Sequence, residues 1–278
     1  MDQLKEYFVM MPENLLVVRH GQSLGNLAKR HSEKGDDTLL ATLKGTHTAH
    51  WPLTERGVAQ AKKTGVFLNH LMNKNQMWFD RMYVSSYARA MQTAGNLELI
   101  RSQWIQDSRI RERDWGELDC LTDEERTERY SSSLKMRKIE PFFWSPPNGE
   151  SFDHLILRIR DFVDSLHRSE TTNVIVVCHG EVMKAIRVIL CGMTPDQYAE
   201  MEFSKDPLKR IHNCQIDHYT RRGPKSLLLS RRLEWLQVYR PAENIEVALP
   251  WEVVPSVRFT SSELLQMAAK LSNPLGIR

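Results

Sequence analysis

Short apolar runs separated by amphipathic stretches organise this chain. Leu15 to Val18 (LLVV) is a continuous run rich in β-branched residues, the pattern of a strand buried on both faces, and it breaks off into Arg19, His20 and Gly21. Val174 to Val177 is a second such run and breaks off into Cys178, His179 and Gly180. Between these runs the apolar spacing predicts helices. One opens within residues 22–34 with Ser23 near its start, and one is capped by Thr54 and runs to about Asn69. Others follow Ser86 (YARAMQTAGNL), cover the charged residues 119–140, run from Ser151 to about His167 with a strong amphipathic pattern, and run from Glu181 to Leu190. Asp80 to Ser85 and Trp104 to Ile110 read as strands. Asn213 to Thr220 and Leu233 to Tyr239 read as a closing hairpin joined by a basic loop, Arg221 to Arg232. Residues 35–52, rich in turn formers, read as a long loop, and loops of that length in a compact domain are often lids or binding loops.

Strands alternating with helices predict an α/β three-layer sandwich, with a mostly parallel central sheet and helices on both faces. The chain divides into an arm (1–13), a main domain (14–240) carrying the lid-like insert 35–52, and an extension (241–278) in which Thr260 or Ser261 caps a helix reaching Lys270. The extension shows no chemistry and reads as a docked appendage or a homodimer contact.

Composition narrows the function. The chain has 278 residues, 41% of them hydrophobic, enough for one large domain. A net charge of +3 suits a small anionic substrate and is too mild to argue for nucleic acid. Cys120, Cys178, Cys191 and Cys214 lack metal-ligand spacing, so a reduced, cytoplasmic setting is expected. No signal peptide is read at the N-terminus, and no run reaches the roughly 18 apolar residues of a membrane span.

The candidate chemistry sits where strands end. In open α/β sheets ligands bind beyond the carboxyl ends of the strands, and two strands ending in His-Gly bring two imidazoles to one sheet edge. A lone histidine after a strand is more often structural, but further signals join this pair. Arg89 falls in the first turn of a helix that follows a strand, where unpaired N–H groups and the dipole already favour anions, and its planar fork matches phosphate oxygens. Glu112, in RERDWG, follows another strand; a carboxylate between Arg111 and Arg113 is usually a solvated ion-pair cluster, yet here it can overhang the crevice. Two arginines and a histidine can hold a phosphoryl group, a second histidine can attack phosphorus, and a carboxylic acid can protonate the leaving oxygen.

Other constellations carry less. Cys120 to Arg126 has the spacing of a cysteine phosphatase loop, but its interior holds Asp123, Glu124 and Glu125 and no glycine. His31, His47 and His50 read as polar loop residues rather than metal ligands. Arg221, Arg222, Lys225, Arg231 and Arg232 read as a solvated hairpin tip, and the aromatic interleaving that nucleic-acid stacking needs is poor.

In their order, RHGQSLGN, LTERGVAQA, SSYARAMQTA, RERDWG, NGESF and VIVVCHGEVM resemble the successive motifs of the histidine phosphatase superfamily, over roughly residues 14–220. This group includes phosphoglycerate mutases and fructose-2,6-bisphosphatases. The resemblance implies a phosphoglycerate mutase-like fold and a phosphatase of the histidine acid phosphatase type. It makes His20 the nucleophile that becomes phosphohistidine, Arg19, Arg89 and His179 the phosphate pocket, and Glu112 the acid. Asn26, Gln22, Ser23 and Gly180 become substrate contacts, and neither metal nor organic cofactor is implied. Mutases of the family usually carry a histidine and an aromatic just after the acid, where this chain has Arg113, Asp114 and Trp115. That departure favours hydrolysis of a small phosphorylated metabolite, with a mutase-type isomerase or a non-catalytic phospho-ligand-binding protein as the alternatives.

Overall fold

The computed structural model describes residues 10–167, 171–224, 226, 228–243, 248–255 and 258–272. In chain order the first half holds β1 (Asn14–Arg19), α1 (Leu24–Ser32), α2 (Thr38–Leu43), α3 (Glu55–Asn75), β2 (Arg81–Val84), α4 (Ala88–Asn96), β3 (Trp104–Gln106) and α5 (Asp123–Ile139). The second half holds α6 (Phe152–His167), β4 (Asn173–Cys178), α7 (Gly180–Cys191), α8 (Pro195–Glu202), β5 (Ile216–Thr220), β6 (Trp235–Tyr239), β7 (Glu252–Val253) and α9 (Ser261–Ser272).

The strands form one mixed sheet in the order β3-β2-β4-β1-β5-β6-β7. β1 to β4 and β6 run one way; β5 and β7 run the other. The two continuous apolar runs are neighbours at its centre, and both are covered on both faces. Leu15, Val17, Val174 and Val176 face α6 and α7, packing with Phe152, Ile159, Phe162 and Ile186. Leu16, Val18, Ile175 and Val177 face α3 and α4, packing with Leu68, Met72, Ala90 and Ala94. Each such side chain removed from water contributes roughly 1.5–3 kcal/mol.

Register then places the chemistry. β1 and β4 pair in parallel with Arg19 opposite Cys178, so His20 and His179 leave the sheet on the same next rung. β2 lies against the other side of β4, with Val84 opposite Val177, and delivers Ser85, Tyr87 and α4 to the same edge. Behind β1, α3 meets the turn through bare backbone. A Cβ on Gly57 would lie 2.1 Å from the Gln22 carbonyl oxygen, and one on Gly21 would lie 2.4 Å from that of Gly57.

Several elements depart from the sequence reading. Residues 35–52 contain α2 and a 3-10 turn, Thr48–His50; Leu40 and Leu43 pack on Ala28 of α1, beside Trp51. The flanking glycines hide this short helix from pattern reading. α3 runs past Asn69 to Asn75, because Met72 continues the buried face begun by Leu68, and it stops at Gln76 in the left-handed region. Tyr87, not Ser86, caps α4. β3 ends at Gln106, where Asp107 caps a 3-10 turn, Ser108–Ile110. α8, capped by Thr194 with Pro195 in its first turn, was not anticipated. The sheet does not stop at residue 240: β7 pairs with β6, and Val254 is buried in the core. Of the arm 1–13, residues 1–9 lie outside the described residues, and Met11 is a core residue rather than part of a loose segment. In the basic loop Arg221 is buried, donating to the carbonyls of Met11 and Ser230, while Lys225 lies outside the described residues.

Candidate active site

The two imidazoles meet edge to face, ring centroids 5.2 Å apart, and both are buried. His20 Nδ1 lies 2.7 Å from the Gly21 carbonyl oxygen, and its Nε2 lies 3.2 Å from Arg89 Nε. A carbonyl only accepts and a guanidinium only donates, so these partners select one tautomer. Nδ1 carries the hydrogen, and the Nε2 lone pair points into the pocket. Burial, then the charges of Arg89 and Arg19, hold this imidazole well below the ordinary histidine range, so it is neutral near pH 7. His179 is lowered in the same way, first by burial and then by the charge of Arg89. Its Nε2 lies 2.7 Å from Ser85 Oγ, while its Nδ1, also buried, has no hydrogen-bond partner.

Arg19 comes off the end of β1 and is braced by the loop before β5, its Nη1 donating to the Ile211 carbonyl at 2.6 Å. Its Nε is buried without a hydrogen-bond partner. Arg89 enters from the first turn of α4 and stacks on the Tyr87 ring. Both α4 and α7 open at this edge, and neither has a side-chain cap, whereas Ser23, Thr54, Thr122 and Thr194 cap α1, α3, α5 and α8. Two helix N-termini, two guanidiniums and an orphaned imidazole nitrogen therefore converge on one small volume, with the Glu112 carboxyl set against them. That volume suits a compact anion bearing several acceptor oxygens.

Glu112 overhangs it. One carboxylate oxygen lies 3.8 Å from His179 Nδ1, and the other accepts the Arg113 N–H at 3.0 Å. Burial pushes this carboxyl up, Arg89 opposes, and the Glu181 carboxylate adds to the rise. The flanking arginines turn away from the crevice. Arg113 is buried beneath the loop, donating to the Glu150 and Trp144 carbonyls and lying over the Trp115 ring, and Arg111 pairs with Glu150.

The sequence thus nominated five residues, Arg19, His20, Arg89, Glu112 and His179, that the fold gathers. Gly180 lies beside Arg19: a Cβ there would stand 3.6 Å from Arg19 Nε, in ordinary contact. The other three nominees face the turn itself. Ser23 and Asn26 form the capping box of α1, with Asn26 Oδ1 also taking a hydrogen bond from Asn213, and Gln22 Oε1 accepts from Thr54 Oγ1. Two groups escaped sequence reading. Ser85 touches His179, and its place at the end of a predicted strand was the available signal. The Thr48 carbonyl accepts from Arg89 Nη1 at 2.7 Å and ties the 35–52 segment to the pocket; a main-chain contact leaves no signal in side-chain chemistry. Of the loop histidines, His47 sits near Tyr87 and His31 pairs with Asp36 away from it. Among the described residues only His20, Glu112 and His179 cluster at metal-ligand spacing, and the adjoining guanidiniums oppose a cation there. The Cys120–Arg126 segment forms no phosphate loop: Arg126 turns back onto the Leu118 carbonyl, and burial pushes the Cys120 thiol up.

Comparisons with known proteins bear on the family and the fold. The chain is 30% identical over 191 residues to the phosphoglycerate mutase-like protein AT74 of Arabidopsis thaliana, covering 62% of this chain and 55% of that one. It is 27% identical over 222 residues to human 6-phosphofructo-2-kinase/fructose-2,6-bisphosphatase 3, covering 76% of this chain and 37% of the relative. It therefore spans about half the length of the first relative and less of the second. A solved mycobacterial glucosyl-3-phosphoglycerate phosphatase, in complex with VO3, shares the fold at 22% identity with a TM-score of 0.58, covering 74% of this chain and 92% of that one. The model of the histidine phosphatase superfamily (branch 1) matches residues 15–222, which hold every residue of the pocket, and the chain belongs to that superfamily.

Proposed function

We propose that the protein is a phosphomonoester hydrolase that works through a phosphohistidine on a small phosphorylated metabolite. The observation that carries this reading is the neutral His20 imidazole, its Nε2 lone pair held at Arg89 in a pocket roofed by a carboxyl that burial keeps protonated more readily than usual. In the first step His20 Nε2 bonds to phosphorus, the bond from phosphorus to the leaving oxygen breaks, and that oxygen takes the Glu112 proton. In the second, Glu112 as carboxylate takes a proton from water, the water oxygen bonds to phosphorus, and the P–N bond breaks to restore the imidazole. Arg19, Arg89 and His179 hold the phosphoryl oxygens, whose charge spreads in the transition state. The reaction draws on no cofactor.

All four cysteines are unpaired, which supports a reducing, cytoplasmic compartment, and among the described residues no helix is long and apolar enough to cross a membrane. The deciding experiment is a panel of phosphorylated metabolites presented to purified protein, scoring phosphate release and phosphoglycerate interconversion side by side. Release without interconversion is expected. Interconversion without release would make the protein a mutase, and neither activity, with phosphate still bound, would make it a binding protein.

A further inference from the structure

Glu112 stands on an irregular loop between the 3-10 turn at Ser108–Ile110 and Gly116, without the ladder of backbone bonds that fixes the two histidines. Its aim is only as good as whatever holds that loop. One side chain does most of the holding. Arg158 projects from α6 and has all five of its N–H groups engaged. Nε and one Nη2 hydrogen bond Glu150 as a fork, at 2.7 Å each. Nη1 donates to the carbonyls of Arg109 and of Arg111, the latter at 2.9 Å. The second Nη2 hydrogen reaches the carbonyl of Glu112 itself at 3.1 Å. Glu150 stitches the same loop from the other side: its N–H donates to the Asp114 carbonyl at 2.9 Å, and its own carbonyl accepts Arg113 Nε at 2.8 Å.

We infer that Arg158, locked by Glu150, is the positioning residue for the acid and so sets how well the enzyme expels poor leaving groups. The inference rests on the reading of Glu112 as the acid. Arg158 touches no reacting atom. It fixes the peptide units on both sides of Glu112 through a rigid fork that anchors three carbonyls and a carboxylate at once, a pattern that the single ammonium of lysine cannot reproduce. A loop released from this clamp still carries its carboxyl, but the carboxyl is no longer held within hydrogen-bond reach of the leaving oxygen.

The test compares an alkyl phosphate, which needs a proton on its leaving oxygen, with p-nitrophenyl phosphate, which does not. The variants are Arg158→Lys, Glu112→Gln and the double variant. Arg158→Lys is expected to lower the ratio of alkyl to aryl kcat/KM at least tenfold, and to lower it no further when Glu112→Gln is already present. Equal losses on both esters, or a further fall of the ratio in the double variant, would overturn the inference. If Arg158→Lys does not fold, as judged by circular dichroism, Glu150→Gln, which keeps the shape and removes half of the fork, takes its place: the same fall in the ratio is expected, and the same equal losses would overturn the inference. Failure of the underlying reading looks different: Glu112→Gln itself would then lower both esters equally, whatever Arg158→Lys does.

Discussion

The floor and the roof of this pocket are built by different forces. The floor, His20, Arg19 and His179, follows directly from two strands paired rung by rung, with Arg19 opposite Cys178. The backbone of that floor is set by main-chain hydrogen bonds and buried aliphatic contacts, and side-chain bonds, Arg19 to the Ile211 carbonyl and His179 to Ser85, then aim the groups it carries. The roof, Glu112 and the segment around Thr48, has no ladder. It is held by side chains reaching main-chain carbonyls: Arg89 to Thr48, and Arg158 to Arg109, Arg111 and Glu112. A floor of this kind is common to every substrate, whereas a roof of this kind responds to the part of the substrate beyond phosphorus. Floor variants should therefore damage all substrates alike, and roof variants should discriminate among them.

The largest effect tests the floor. His20→Ala should abolish turnover of every ester and remove the phosphoenzyme that an alkaline quench traps in the parent protein; turnover retained on any substrate would mean a second nucleophile. Glu112→Gln tests the roof. General acid help is typically worth ~10²–10⁴-fold, so hydrolysis of alkyl phosphates should fall by about that much while p-nitrophenyl phosphate suffers far less. With the aryl ester, water attack on phosphohistidine becomes the slow step, and quenched phosphoenzyme should accumulate. Arg89→Lys keeps the charge and loses the fork. Phosphate affinity, measured by calorimetry, should fall roughly tenfold to hundredfold, since a hydrogen bond to a charged group is worth about 1.5–3 kcal/mol. Unchanged affinity would detach Arg89 from the phosphate.

Shortening 35–52 so that Thr48 is lost should reorder kcat/KM across the substrate panel while His20 is still phosphorylated; an unaltered order would reduce the segment to a passive surface. The smallest effect is thermodynamic and lies outside the pocket. Burial lowers His218 to about 4, whereas the unfolded chain takes up that proton near about 6.5. Between those values the unfolded state binds more protons, so stability falls as pH drops through the window, by at most about 1.4 kcal/mol per pH unit for this group. His20 and His179, depressed in the same direction, steepen the fall. Tm followed from pH 7 to 4.5 should decline, less steeply in His218→Gln.

The same contrast explains what could be read in the sequence. Leu15–Val18 and Val174–Val177 announce strands buried on both faces because every position must be apolar, and the residues beyond them inherit their location. Arg89 was legible because it follows β2 closely, and Glu112 because its RERDWG motif marks it, although β3 ends at Gln106 and a 3-10 turn lies between them. The roof was not. α2 spans only Thr38–Leu43, too short for its period to stand out between Gly35 and Gly45. Arg158 lies on an amphipathic helix whose polar positions read as solvent-facing, and only the packed structure shows its fork turned onto carbonyls far away in the chain. Ser23 and Asn26 matched a motif as candidate ligand contacts, while their local geometry also makes them the two halves of a helix cap.

The bare contact between Gly21 and Gly57 has a mechanical consequence. With 2.1 Å between a Cβ at 57 and the Gln22 carbonyl, against the 3.4 Å where ordinary contact begins, there is no clearance between α3 and the turn that carries the nucleophile. The helix and the turn must move as one piece. A single methyl group at position 57 would drive Gln22, and through it His20, out of line with phosphorus, and a displacement of about 1 Å in a reacting group can cost about 10²-fold in rate. The buried first turn of a 21-residue helix thus becomes a place from which the nucleophile can be detuned without altering any group in the pocket.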